Sequence, residues 1–332
     1  MEKIVQKRES GISRIIGVGE SAEPELLDYF KRQFEKNPKY SGEQEHTPEL
    51  DNLIAEINQK MKEFLARYGV ESLDIPAGSI HILDKSKLTP QQLAQYKERY
   101  EKIGAVYLLD KQQIWIFKNY QTGQKLHFVK NLVHEMMHLN AFGSAQKVTS
   151  GGIGLMKGEE SIHLKPRRVG FEVDSAKTGK MFFLDVNEAI TEELIIRFDK
   201  DYYSQFQDLK NEYEEREEAR AAVSKRSGKS KSEMDRGIAN LEHRPVDAQG
   251  GHEVILRPYS YSRERGALNK LILDLYEKNK IEFRSPEDVF SIFAKAALTG
   301  RLSPIARLIE KTYGKGSFRE LGEKTQKLRR NP

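Results

Sequence analysis

The residues with the clearest chemical meaning in this chain are His134, Glu135 and His138, which form the pattern His-Glu-x-x-His. They lie within residues 124–142, where apolar residues recur at the spacing of an α-helix. Residues four apart on a helix are separated by about 6 Å along the axis and about 40° around it, so both imidazoles can bind one metal ion. Glu135 is offset by about 100° and can take a proton from a water that the metal polarises. The pattern therefore predicts a metal site with a general base, and its helical context favours this over an exposed helix face with solvated histidines.

The composition restricts both the metal ligands and the partners. The chain has 332 residues and no cysteine, which excludes thiolate zinc sites, iron–sulfur clusters and cysteine nucleophiles. Hydrophobic residues make up 38% and charged residues 32%, with a mean hydropathy of −0.68, as in soluble globular proteins. No apolar run approaches the roughly 18 residues of a membrane span, and no secretory signal is recognisable at the N-terminus. We therefore expect a cytoplasmic protein with no membrane partner.

The charge balance bears on nucleic-acid binding. Lys and Arg number 55 against 50 Asp and Glu, which gives a net charge of +5. This excess is small for the length of the chain, and aromatic residues are not interleaved with the basic clusters. The sequence therefore does not favour a nucleic acid as partner.

A catalytic zinc needs three protein ligands and one position for water, so the two histidines require a third partner. The metzincin pattern is excluded, because Ala141 and Ser144 stand where that class has Gly and His. His163 follows the motif along the chain, but no further motif supports it as a ligand. His243 and His252 lie in or beside a highly charged segment, which is a poor place to preorganise a ligand. A carboxylate from another helix remains the strongest candidate.

Asn187, Glu188 and Glu192 begin a second amphipathic helix. With His-Glu-x-x-His before it, this segment resembles the gluzincin metallopeptidases, the thermolysin-like clan, in which an Asn-Glu pair on the next helix supplies the third ligand. An acid four residues later hydrogen-bonds a ligand histidine in that clan. The resemblance implies one Zn²⁺ per chain held by His134, His138 and Glu188, with Asn187 and Glu192 supporting the ligands.

The geometry of this helix agrees with that assignment, since Glu188 and Glu192 share one helix face. The alternative interpretation is that Asp185 and Glu188 form only a capping box. The resemblance covers about residues 124–193 and departs from the clan in two ways. The 50 residues from His138 to Glu188 are a longer spacing, and Glu192 stands where the clan has Asp.

Hydrolysis also needs a donor that stabilises the oxyanion of the tetrahedral intermediate. In the clan a Tyr or His from the C-terminal part commonly supplies it. The sequence offers Tyr259, Tyr261 and Arg263, which lie close together just before a predicted helix. The resemblance as a whole implies hydrolysis of a peptide or protein substrate, by endopeptidase or aminopeptidase-like action.

The substrate is expected to bind along the strand that precedes the metal helix. In zincins generally, a sheet edge at this position binds an extended substrate by adding it as a further strand. The residues of this predicted substrate strand are Ile114, Trp115, Ile116 and Phe117. The alternative for Trp115 is an ordinary core position.

The elements around these residues indicate an α+β fold. We expect a zincin-like arrangement, in which a small mixed or antiparallel sheet precedes the metal helix and a helical part follows at the C-terminus. Hydroxyl–proline starts and glycine ends predict helices after Thr47, Thr89, Ser285 and Ser303. Strands are predicted at residues 79–83, 105–109, 113–117, 168–173 and 180–184.

Four parts of the chain are expected from these patterns. They are an N-terminal α/β part (1–123), the metal-site helices with an inserted hairpin (124–213), a charged mobile excursion (214–252) and a helical C-terminal part (253–332).

Two other functions are compatible with the same residues. One is a non-catalytic module in which the metal stabilises a peptide-binding or protein-binding fold. Glu135 argues against it, because a purely structural metal has no use for a base. The other is a regulatory protease dedicated to one protein substrate, which would leave casein largely intact.

Overall fold

A computed structural model describes residues 10–16, 22–36, 38–40, 42–90, 104–109, 111–117, 124–147, 164–175, 178–245, 252–325 and 327–328. Within these residues the chain forms ten α-helices and eleven short β-strands, so the fold is α+β. The helices are α1 (Ala22–Glu35), α2 (Pro48–Ala66), α3 (Lys125–Asn140), α4 (Leu184–Tyr202), α5 (Lys210–Ser227), α6 (Lys231–Gly237), α7 (Ser262–Lys278), α8 (Pro286–Thr299), α9 (Ser303–Tyr313) and α10 (Ser317–Lys324). None of these described helices has the length and apolar character needed to cross a bilayer.

The strands form three separate sheets. They are β1 (Arg14–Ile16), β2 (Ile80–Ile82), β3 (Ala105–Leu108), β4 (Gln113–Ile116), β5 (Gly143–Lys147), β6 (Leu164–Val169), β7 (Glu172–Asp174), β8 (Lys180–Phe182), β9 (Ile238–Pro245), β10 (His252–Pro258) and β11 (Lys327–Leu328). Six strands make a mixed sheet in the order β1-β5-β6-β7-β8-β11. Three make a sheet in the order β2-β4-β3, with β2 parallel and β3 antiparallel to β4. Strands β9 and β10 form an antiparallel hairpin.

The main hydrophobic core surrounds α3 and α4. Leu132, Val133 and Met136 of α3 and Phe198 of α4 are completely buried. The cluster to which they belong extends from Phe34 to Ile309 and includes residues from all four parts of the chain that the sequence predicts. Helices α3 and α4 are therefore held from several sides, and side chains that project from them are positioned rigidly.

The predicted helix starts after Thr47 and Ser285 are confirmed. Thr47 accepts a hydrogen bond from the N–H of Leu50 at the start of α2, and Ser285 forms a capping box with Asp288 at the start of α8. Ser303 differs, because it is the first residue of α9 and not its cap. The helix predicted after Thr89 falls almost entirely outside the described residues.

The single strand predicted over residues 168–173 is wrong. A turn at Gly170 and Phe171 divides it into β6 and β7. Gly170 has a left-handed φ of 58° and donates its N–H to Phe142 at 2.8 Å, and Phe171 donates its N–H to Asn187 at 2.9 Å. The glycine allows the left-handed conformation, and burial of the Phe171 ring in the core keeps the turn in place. The predicted hairpin connection between residues 174 and 179 does join β7 to β8.

For residues 214–252 the sequence predicts a helix end followed by a charged mobile excursion; the helix end is found, and most of the described residues after it are also in regular structure. Helix α5 continues to Ser227, and α6, β9 and the start of β10 follow. The Arg216 guanidinium is completely buried, where it binds Asp199 at 2.7 and 2.8 Å and the carbonyl oxygen of Ala239 at 2.9 Å. Buried ion pairs thus help to hold this segment, whose sequence contains few bulky apolar residues.

Replacement of Gly170 by alanine tests the turn beside α4. A Cβ atom there would lie 2.4 Å from the Asn187 side-chain oxygen, whereas a Cβ at Gly179, with a similar φ of 64°, meets nothing within 4 Å. We expect Gly179→Ala to cost about 1 kcal/mol of unfolding free energy from its backbone conformation alone. Gly170→Ala should cost about 3 kcal/mol or more, because it adds a steric clash. Urea denaturation of both variants checks this, and equal losses would contradict the described turn.

Candidate metal centre

Three potential metal ligands converge between α3 and α4. The Nε2 atoms of His134 and His138 lie 3.0 Å apart, and the Glu188 carboxylate oxygens lie 3.4 Å from the first and 3.5 Å from the second. In tetrahedral zinc coordination, bonds of about 2.0–2.1 Å place neighbouring ligand atoms about 3.3 Å apart. The predicted set of His134, His138 and Glu188 is therefore brought together at distances that suit such an ion.

The same three residues satisfy the chemical requirements of a zinc site. Their side chains are 11–13% exposed, so they are shielded but still reachable. The Oε2 atom of Glu188 is buried and has no hydrogen-bond partner among the described residues. Two imidazole nitrogens and a carboxylate oxygen are a donor set that zinc accepts, and a cation would satisfy this oxygen.

Glu192 contacts the first potential ligand, His134. Its Oε2 atom lies 3.1 Å from Nδ1 of His134, while its Oε1 atom accepts the N–H of Ser260 at 2.7 Å and lies 3.2 Å from Nζ of Lys130. Because the carboxylate can only accept here, the proton of His134 belongs on Nδ1, which leaves Nε2 free to bind a metal. Glu192 is thus placed as the sequence predicted.

The charges in the site favour a cation. Burial alone lowers the pKa of His134, but the neighbouring carboxylates of Glu188 and Glu192 outweigh it and raise this pKa to about 10. The pKa of His138 is also raised, because the charge of Glu188 outweighs burial. Burial opposes ionisation of Glu188, yet the nearby histidines hold the pKa of Glu188 well below its usual range. A divalent cation can supply the positive charge that these carboxylates favour.

Glu135 lies beside the ligands, and its carboxylate makes a different contact. The residue is 8% exposed, and its Oε2 atom accepts the N–H of Tyr107 at 2.7 Å. Burial raises the pKa of Glu135 despite the opposing influence of the two imidazoles. A carboxylate with a raised pKa next to a candidate metal site is a better proton acceptor than an ordinary carboxylate.

Of the three candidate oxyanion donors, only Tyr261 is brought to the metal site. Its ring stacks on His134 with a centroid distance of 6.1 Å, and burial and the proximity of Glu188 raise the pKa of its hydroxyl. Tyr259 is buried elsewhere and donates its hydroxyl hydrogen to Asp199. Arg263 is exposed and lines a cavity of about 410 Å³ with Val186. The geometry therefore gives no catalytic role to Tyr259 or Arg263.

The predicted substrate strand is not a sheet edge. Strand β4 is central, paired with β2 on one side and β3 on the other, so Ile114 and Ile116 are completely buried. Phe117 is also buried, and Trp115 packs against Tyr40 with ring centroids 4.9 Å apart. The prediction was wrong because β3 pairs with the edge of β4 that a substrate would have needed, so β4 has a strand on both sides. The outer strand beside α3 is β3 instead, as the contact of Tyr107 with Glu135 shows.

Sequence reasoning missed three contributors to the site. Lys130 lies one helical turn before His134 and binds both Glu192 and the Ser260 hydroxyl, the latter at 3.0 Å. Its spacing of four residues from His134 was a usable signal. Ser260 and Tyr107 contribute backbone N–H groups, which cannot be predicted from the identity of the residue.

Two other sequence candidates do not reach the site, and a third is not among the described residues. Asn187 supports the turn at Phe171 through its side-chain oxygen and does not contact a ligand histidine. His243 pairs with Glu215 at 3.2 Å, which leaves it no part in the metal group. His163 lies outside the described residues.

Comparison of the chain with protein-family models, with curated proteins and with solved structures finds no match. Its function is therefore inferred from the arrangement of its own side chains.

Substitution of Glu192 tests whether this carboxylate orients His134. Glu192→Gln keeps the shape but removes the charge, and we expect zinc affinity to fall about 10-fold to 100-fold. The matched control is Glu193→Gln, because Glu193 is equally buried but binds Arg197, Arg236 and Arg265 instead.

Competition with a fluorescent chelator measures zinc affinity in both variants. Glu193→Gln should lose stability and keep its zinc affinity. If both variants lost affinity equally, Glu192 would have no special influence on the ligand.

Proposed function

We propose that this protein is a zinc-dependent peptide-bond hydrolase of the gluzincin type. The observation that carries the proposal is the convergence of His134, His138 and Glu188 with Glu135 beside them. Three protein ligands leave a position for water, as in catalytic zinc sites. A base next to the ligands favours hydrolysis over a purely structural role for the metal.

The chain's own residues can divide the chemistry of hydrolysis among them. Zinc, when bound, supplies a Lewis acid that polarises the scissile carbonyl and an attacking water. Glu135 accepts the proton of the water and passes it to the leaving amine, which its raised pKa favours. Tyr261 keeps its hydroxyl proton at neutral pH because its pKa is raised, and it donates a hydrogen bond to the developing oxyanion.

Strand β3 is the part of the sheet suited to bind substrate. Its inner side pairs with β4, and the N–H of Tyr107 on its outer side points to the general base. An extended peptide added to this outer side would run beside Glu135 and the metal ligands. We therefore propose that β3, and not β4, is the substrate strand of a zincin-like arrangement.

Glu135→Gln tests the proposed reaction. The substitution removes the base and keeps a side chain of nearly equal size, so turnover should fall about 10²-fold to 10⁴-fold. Zinc content should stay unchanged because Glu135 is not among the grouped ligands. Digestion of a peptide library, read by mass spectrometry, measures turnover, and elemental analysis provides the control. Undiminished cleavage by the zinc-loaded variant would refute the assignment of the base.

A further inference from the structure

A hydrogen bond joins the proposed general base to the proposed substrate strand. The N–H of Tyr107 donates to Oε2 of Glu135 at 2.7 Å. The two residues are 28 positions apart, so this bond links β3 to α3 directly. It occupies one oxygen of the carboxylate that the proposed function assigns to proton transfer.

The register of β3 shows that this N–H lies on the outer side of the sheet. Val106 is paired with Trp115, and the carbonyl oxygen of Gly104 accepts the N–H of Phe117. Backbone groups alternate in direction along a strand, so residues 104, 106 and 108 face β4. Ala105 and Tyr107 therefore direct their N–H and C=O groups away from β4, to where an added peptide would pair.

An added strand and Glu135 would compete for the same hydrogen atom. Antiparallel pairing on this side needs the N–H of alternate residues of β3 as donors to carbonyl oxygens of the peptide. A backbone N–H has one hydrogen to donate, and Glu135 already accepts that of Tyr107. Binding of an extended peptide in this register therefore takes the hydrogen bond away from Glu135.

We propose that the Tyr107 N–H acts as a latch on Glu135 and that pairing of an extended peptide with β3 releases it. This inference rests on the proposed hydrolase function. A substrate long enough to pair with β3 releases Oε2 of Glu135, which then turns to the attacking water. A short substrate that does not reach Tyr107 leaves the carboxylate bound to β3. The protein thus selects extended peptides by their backbone as well as by their side chains.

Hydrogen exchange tests the latch without any activity measurement. In the zinc-loaded protein, the Tyr107 amide should exchange at least tenfold faster in Glu135→Ala than in wild type, because the acceptor is lost. The Val106 amide faces β4 and serves as the internal control, which should not change. Unchanged exchange at Tyr107, with a folded variant, would overturn the latch whatever the fate of the proposed function.

Proline at position 107 tests the coupling to substrate. Tyr107→Pro removes the N–H, and an outward-facing position on an outer strand tolerates proline. Tyr107→Ala loses the same ring but keeps the N–H and is the matched comparison. The probes are a blocked decapeptide identified from the library and a blocked dipeptide amide containing the same scissile bond.

Cleavage of the dipeptide is the readout. It should be at least tenfold faster in Tyr107→Pro than in Tyr107→Ala, because the base is no longer held when the substrate is short, whereas loss of the pairing N–H alone would slow only the decapeptide. Equal dipeptide rates in the two variants would overturn the coupling. Absence of cleavage of both probes by the wild type would overturn the proposed function. The exchange experiment would still test the hydrogen bond between Tyr107 and Glu135.

Discussion

The packing of α3 against α4 is the constraint on which the candidate site depends. The two histidines come from one helix and Glu188 from the other, so their distances of 3.0–3.5 Å exist only while these helices keep their relative position. Bringing two carboxylates and two imidazoles together in a buried place is costly without compensation. Lys130 and the Ser260 N–H compensate Glu192, and a cation would compensate Glu188. Burial of the apolar core around both helices offsets the free-energy cost of these buried charged groups.

Buried charges also bring the C-terminal part of the chain to the candidate metal site. Glu193 binds Arg236 at the end of α6 and Arg265 in the first turns of α7, at 2.6 and 3.1 Å. Asp199 binds Arg216 of α5 and the Tyr259 hydroxyl. These pairs lie on both sides of the short segment that holds Ser260 and Tyr261. The segment is therefore tied to α4 by ion pairs and a buried hydrogen bond, in addition to the apolar contacts of the core.

The sequence was informative where a residue type has one dominant chemical meaning. His134, His138 and Glu188 were predicted as a group and are found as a group, and the glycine and proline signals located α2 and α8. It was uninformative where backbone geometry or ion pairs decide the structure. The pairing order of β3 and β4 is a tertiary property, so the wrong strand was assigned to substrate. Arg216 falls within the segment predicted as a charged mobile excursion, yet it is among the most deeply buried side chains. Tyr107 contributes through a backbone N–H, which any residue type except proline would offer.

The measurement that tests the central claim most directly is zinc content per chain, determined by elemental mass spectrometry on wild type and Glu188→Ala side by side. Both proteins are purified mildly, supplied with zinc and freed of excess metal by gel filtration. The described geometry predicts close to one zinc per chain in wild type and a clear loss in the variant, because two imidazoles alone hold zinc weakly. No zinc in folded wild type, or full zinc in Glu188→Ala, would contradict the three-ligand centre and with it the proposed hydrolase.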